Sequence, residues 1–145
     1  MAITYVSVSL FDSDLSTLVN PVNCFATMGA GLAKAFAKRY PEIVDKYQKD
    51  CYGRKLTPGK LTTCDTNDGK RVIFFPTKDY WKDPSKILYI EEGLSDFKRR
   101  YDQLVVNGVS FPKIGCGLGG LEWKDVQPIM ETYLKDLPID IHIHV

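Results

Sequence analysis

Two glycine-rich segments, Met28-Gly-Ala-Gly-Leu32 and Gly115-Cys-Gly-Leu-Gly-Gly120, carry the clearest chemical signal in the chain. Each falls between a run that reads as a strand and one that reads as a helix. A helix N-terminus presents unpaired backbone N–H groups and partial positive charge, and glycine removes the side chains that would hold a phosphate away. In open α/β sheets ligands lie beyond the carboxyl ends of the strands, so two such loops at one sheet edge could clamp a single diphosphate. The alternative is a pair of tight turns, and two loops in equivalent positions weigh against it. Gly115, Gly117 and Gly120 also satisfy G-x-G-x-x-G, with Asp140 twenty residues after Gly120, as in a nicotinamide-dinucleotide site. Only five residues follow Asp140, too few for the rest of such a sheet, which disfavours hydride transfer.

Other reactive side chains are weaker candidates. Cys24 and Cys116 flank or enter the glycine loops, but a thiolate needs a basic partner and both histidines are remote in sequence. His142 and His144 share one face of the last predicted strand and, with Asp140, could be imagined on a metal; strand alternation turns polar residues outward in any case. No metal site is expected. Tyr80-Trp81-Lys82 interleaves aromatic and basic groups, as a nucleic-acid contact or a loop anchor would. Trp123 reads as a packing anchor under the second loop.

These residues must be positioned by a scaffold. The strand-like runs are 3–10, 17–23, 60–64, 72–75, 109–114 and 139–145, with Pro21 placing the end of the second near an edge or bulge. Asp68-Gly69 signals a hairpin between the third and fourth. Helical composition covers 32–40, and Pro41 separates it from a second helix over 42–50. The spacing of Ile87, Ile90, Leu94, Phe97, Tyr101 and Leu104 predicts the longest amphipathic helix, closed by Asn107-Gly108. Asp125 is placed to N-cap a last helix reaching Lys135. Alternating strands and helices make one α/β domain over residues 1–145, a sheet covered by helices on both faces. A chain of 145 residues with 44% hydrophobic and 26% charged residues suits a single core. A net charge of +1 gives no global footprint for duplex DNA. No run is long and apolar enough for a membrane span, and no secretion signal is read at the start, so the expected location is the cytoplasm.

Together, Leu18-Val-Asn-Pro-Val-Asn-Cys24, Met28-Gly-Ala-Gly-Leu-Ala33, Phe75-Pro-Thr-Lys78 and Gly115-Cys-Gly-Leu-Gly-Gly-Leu-Glu-Trp123 resemble the macro domain family. The resemblance runs from about Ile3 to the end. It is closest to the DarG-type branch of ADP-ribosyl-DNA glycohydrolases, with the terminal ADP-ribose protein glycohydrolase as a relative. It implies a three-layer α/β/α fold with a mixed central sheet, ADP-ribose across its crest, and no cofactor. By motif, Asn23 would orient the distal ribose and Lys78 would be the catalytic lysine. Ser9, Leu10, Asn20, Met28, Gly29, Ala30, Gly31 and Leu32 would bind ADP-ribose from one side. Ile114, Gly115, Cys116, Gly117, Leu118, Gly119, Gly120 and Leu121 would bind it from the other. Two departures stand out. Ser9 occupies the place where the family usually has an adenine-recognising aspartate, and Gly119 the place of an aspartate in the protein-directed relative.

The chemistry implied is cleavage of the glycosidic bond at the anomeric carbon of the distal ribose. A lysine can attack that carbon as a neutral amine, or stabilise and protonate the leaving group as an ammonium. The expected partners are ADP-ribose and an ADP-ribosylated substrate, DNA favoured over protein, handled by a monomer. The rivals are an ADP-ribose 1''-phosphate phosphatase, a protein-directed hydrolase and a non-catalytic reader.

Overall fold

A computed structural model describes residues 3–145. Six strands form one sheet: β1 (Ile3–Val6), β2 (Thr17–Val22), β3 (Thr62–Asp65), β4 (Arg71–Pro76), β5 (Val109–Phe111) and β6 (Ile141–His144). Their order is β1-β6-β5-β2-β4-β3. All neighbours are parallel except the β3–β4 hairpin, so the sheet is mixed. Four α-helices cover it: α1 (Gly31–Arg39), α2 (Ile43–Tyr52), α3 (Ile87–Leu104) and α4 (Trp123–Leu134).

Strand alternation sorts side chains into two cores. On β2 and β4, Leu18, Val22, Val72 and Phe74 point toward α1 and α2, where they meet Phe36, Ile43 and Tyr47. Their neighbours Val19, Ile73 and Phe75 point toward α3 and α4, against Ile90, Leu94, Phe97, Val126 and Met130. Successive residues of a strand face opposite sides, so a near-continuous apolar run marks burial on both faces. The result is the expected three-layer α/β/α arrangement.

Several expectations are corrected. The first strand stops at Val6 instead of Leu10, because Ser9 caps a short 3-10 turn at Leu10–Asp12, its hydroxyl accepting the Phe11 N–H. Pro21 lies in a central strand. It is tolerated there because β5 pairs with β2 only at Thr17 and Leu18, which leaves that side of β2 open where a proline lacks its donor. β5 ends at Phe111, ahead of Pro112, and α4 starts at Trp123 with Asp125 in its first turn rather than at the cap. His144 is buried and pairs through Nδ1 with the Val8 carbonyl, so it does not face outward.

Candidate active site

The crevice opens where β2 and β4 end. Parallel pairing runs to Val22↔Pro76, and two backbone bonds carry it further: Thr77 N–H donates to the Val22 carbonyl at 3.0 Å and Cys24 N–H to the Asp79 carbonyl at 2.9 Å. This brings Asn23 and Lys78 just past the ends of two paired strands, and both line the crevice. Above them is a cavity of about 640 Å³. Of the expected residues, Asn23, Lys78, 29–32 and 115–119 line it.

Asn23 is held by its own loop. Its Oδ1 accepts the Phe25 N–H at 2.8 Å and faces the Tyr47 hydroxyl at 3.0 Å, while its Nδ2 donates to the Thr27 carbonyl at 2.8 Å. The Tyr47 hydroxyl also lies 2.8 Å from the Asn23 carbonyl. Burial, then the neighbouring Cys51, push the Tyr47 pKa far up, so the hydroxyl stays a donor. With its oxygen engaged, the Asn23 side chain has an Nδ2 hydrogen left over for a ligand. Sequence alone suggested that it could both donate and accept. Lys78 is half-buried, and no described residue offers its ammonium a hydrogen bond or an ion pair.

The two glycine loops form the walls. Helix α1 starts at Gly31 without a side-chain cap, which leaves its first-turn N–H groups to the crevice. Gly31 has φ +57°, and a Cβ there would lie 2.9 Å from Leu118 Cδ1, so the loops touch across the cavity. Gly115 has φ +78° and is packed by Leu121 and Ile90. A Cβ on Gly119 would fall 2.4 Å from the Ser85 hydroxyl oxygen, and Ser85 N–H donates to the Gly119 carbonyl at 2.9 Å. The loop carrying Lys78 and Trp81 is thereby docked on the second glycine loop, leaving no room for an aspartate at 119. Gly119 lies outside the left-handed backbone region, so a substitution there meets contact rather than strain. Gly119→Ala is expected to cost about 1–3 kcal/mol, and Ser85→Gly in the same chain to return most of it in thermal unfolding. A double variant no more stable than the single one would refute the contact.

The remaining expected residues are not among those that line the cavity. Ser9 is spent on its cap, and Leu10 and Ile114 are buried in the cores. Asn20 is fully buried, donating to Met28 Sδ at 3.6 Å under the first loop, with its Oδ1 unpaired among described residues. Met28 and Leu121 pack against the cores, and Gly120 closes the second loop with φ +86°. Lining residues not singled out from the sequence include Thr27, Thr77 and Lys113. Thr77 lies inside the motif that ends at Lys78, and Thr27 and Lys113 lie within two residues of Met28 and Gly115; that proximity is the signal that would have found them.

Burial disfavours the thiolate at both loop cysteines. Burial first, and the Asp79 carboxylate second, push the Cys24 thiol up to about 12; burial also raises Cys116. In the folded protein at pH 8, Cys24 is expected to escape alkylation by iodoacetamide under conditions that label Cys64, as mass spectrometry of quenched samples would read. Rapid labelling of Cys24 would contradict its buried, protonated state. Among the described residues no group of three or more His, Cys, Asp or Glu side chains is arranged to hold a metal ion.

Comparison with known proteins agrees with this geometry. The Macro domain model matches residues 19–130. A "DNA ADP-ribosyl glycohydrolase" of Mycobacterium tuberculosis is 43% identical over 139 residues, 94% of this chain and 40% of that protein. The solved macrodomain of Mycobacterium tuberculosis DarG superposes with a TM-score of 0.92 at 42% identity, over 98% of this chain and 96% of that one. Thermosipho africanus DarTG, solved in complex with ADP-ribose, gives a TM-score of 0.91 at 32% identity, over 99% of this chain and 41% of that one. The chain thus spans about two-fifths of the length of the related DNA ADP-ribosyl glycohydrolases. A mixed six-stranded sheet with helices on both faces, a crevice walled by two glycine loops and a family model spanning most of the sequence lead to one assignment: the chain belongs to the macro domain family.

Proposed function

We propose that this domain binds ADP-ribose between its glycine loops and hydrolyses the glycosidic bond that holds it on ADP-ribosylated DNA. The observation that carries the reading is an unpaired lysine beside a tethered asparagine, both at strand ends on the floor of the crevice. The diphosphate lies between the uncapped N-terminus of α1 and the loop 115–119, where backbone dipoles and glycines favour an anion. The free Nδ2 hydrogen of Asn23 meets a distal-ribose hydroxyl, and Lys78 acts at the anomeric carbon. The bond from that carbon to the modified group breaks; water supplies the oxygen that ends on the carbon and the proton that ends on the released group. The names of the related proteins from Mycobacterium tuberculosis and Thermus aquaticus, both "DNA ADP-ribosyl glycohydrolase", support DNA as the substrate. So does Gly119, packed too tightly by Ser85 to be replaced by the aspartate of the protein-directed relative.

The proposed setting is the cytoplasm, with the domain acting as a monomer; no described helix is long and apolar enough to cross a membrane. The test is release of free ADP-ribose from ADP-ribosylated single-stranded DNA, followed by chromatography. Binding of ADP-ribose without release from DNA would sink the hydrolase reading and leave a reader, a phosphatase or a protein-directed enzyme.

A further inference from the structure

Three aromatic rings lie together on the surface at the Lys78 end of the crevice. Phe25 is 52% exposed and Trp81 49% exposed. Phe25 meets Tyr80 edge-on with centroids 4.9 Å apart, and Tyr80 lies 5.6 Å from Trp81. Trp81 also lines the crevice with Lys78, so the rings are continuous with the site. Single exposed apolar residues need no explanation, but contiguous ones mark contact surfaces.

The backbone is built to hold Phe25 outward. Asn23 Oδ1 fixes its N–H, and the next residue, Ala26, sits at φ +61°, a left-handed conformation that costs a non-glycine residue about 1–2 kcal/mol. Gln48 Nε2 secures the Ala26 carbonyl at 3.3 Å. A cation borders the rings: Lys82 Nζ is 5.2 Å from the Trp81 ring centre and has no ion-pair partner among the described residues. Of the nearby acids, Asp79 has one carboxylate oxygen buried, while Asp83 is exposed.

We propose that Phe25, Tyr80 and Trp81 form a stacking platform for unpaired DNA bases flanking the modified nucleotide, with Lys82 meeting a phosphate between them. The proposal rests on the reading of this domain as DNA-directed and adds where the strand beyond the modified nucleotide lies. Rings interleaved with cations fit a chain that offers a π-face and a negative charge at every unit, and a duplex hides those faces in its own stack.

The probe is a short fluorescein-labelled oligothymidylate, unmodified, whose binding to the whole chain is followed by fluorescence anisotropy. The wild type is expected to bind it, Phe25→Ala to weaken binding about tenfold, in line with stacking on a single ring, and hybridisation to a complementary strand to abolish it. Affinity of Phe25→Ala for free ADP-ribose, measured by calorimetry, stays at the wild-type value because Phe25 lies outside the crevice. Equal binding by wild type and by a Phe25→Ala/Trp81→Ala double variant, or equal binding of single strand and duplex, overturns the proposal. The assay needs no turnover, so it separates the two readings. Oligonucleotide binding without ADP-ribose release counts for the platform and against the hydrolase. Release that Phe25→Ala leaves unchanged counts for the hydrolase and against the platform.

Discussion

Replacing Lys78 with alanine is expected to lower the rate of ADP-ribose release from ADP-ribosylated single-stranded DNA by about 10²–10⁴-fold, the range for removing a positioned proton-transfer or nucleophilic group. The fold should survive, because Lys78 is half-buried and has no bonded partner among the described residues. Binding of ADP-ribose should persist, since the proposed diphosphate contacts come from the loop backbones. Lys78→Arg then tells the two modes of action apart. Arginine keeps the charge and has no amine free to attack, so an electrostatic role is partly retained and a covalent one is lost. Trapping of a lysine adduct by borohydride in the wild type would mark the covalent route. An alanine variant as fast as the wild type would remove Lys78 from the mechanism altogether.

The largest expected loss of stability lies away from the crevice, at Asp96. This carboxylate is 2% exposed on α3; its Oδ2 accepts the Leu61 N–H at 3.0 Å and Arg100 Nη1 at 2.7 Å, and its Oδ1 pairs with Arg99. Arg100 also donates to the Leu61 carbonyl at 3.1 Å, so the group pins the chain entering β3 onto α3. Removing one partner of a buried pair leaves the others unpaired, at about 3–5 kcal/mol. Asp96→Ala should fall near 3 kcal/mol in urea unfolding, because the Arg100 side chain is 33% exposed and regains water. Asp96→Asn, which keeps an acceptor for Leu61, should lose less. An alanine variant within about 0.5 kcal/mol of wild type, as for an ordinary surface change, would show that the cluster adds nothing.

The layered architecture was legible in the sequence, because its elements carry local signals. Helix α3 follows its apolar spacing from Ile87 to Leu104, and the β3–β4 hairpin follows Asp68-Gly69. Local signals failed at the ends of elements, where a cap or a distant partner decides the outcome. The alternation through Val8 and Leu10 continues to look like a strand, yet Ser9 turns the chain. His142 and His144 look like an outward polar pair, yet the Val8 carbonyl claims one of them. Asp125 looks like a cap, yet Trp123 is drawn into helix α4, where it packs on the core.

At the site, the motifs named both glycine loops, Asn23 and Lys78. They could not name what holds those groups: Tyr47 under Asn23, Ser85 under Gly119 and the Cys24–Asp79 backbone bond join segments separated by 24 to 55 residues. Pairings of that range leave no periodic trace. Phe25 escaped notice because a lone phenylalanine after a strand looks like core, and only the fold turns it to solvent.

The continuation of β2–β4 pairing past Pro76 also sets where this chain can change length. Side chains alternate faces along a strand, so inserting or deleting one residue between Arg71 and Thr77 would send Lys78 and the apolar set of β4 to the wrong sides together. The stretch from Tyr80 to Pro84 is bound by no such register. It can lengthen, shorten or trade its aromatic residues without shifting Asn23 against Lys78, so the proposed DNA contact and the crevice floor are separable by mutation.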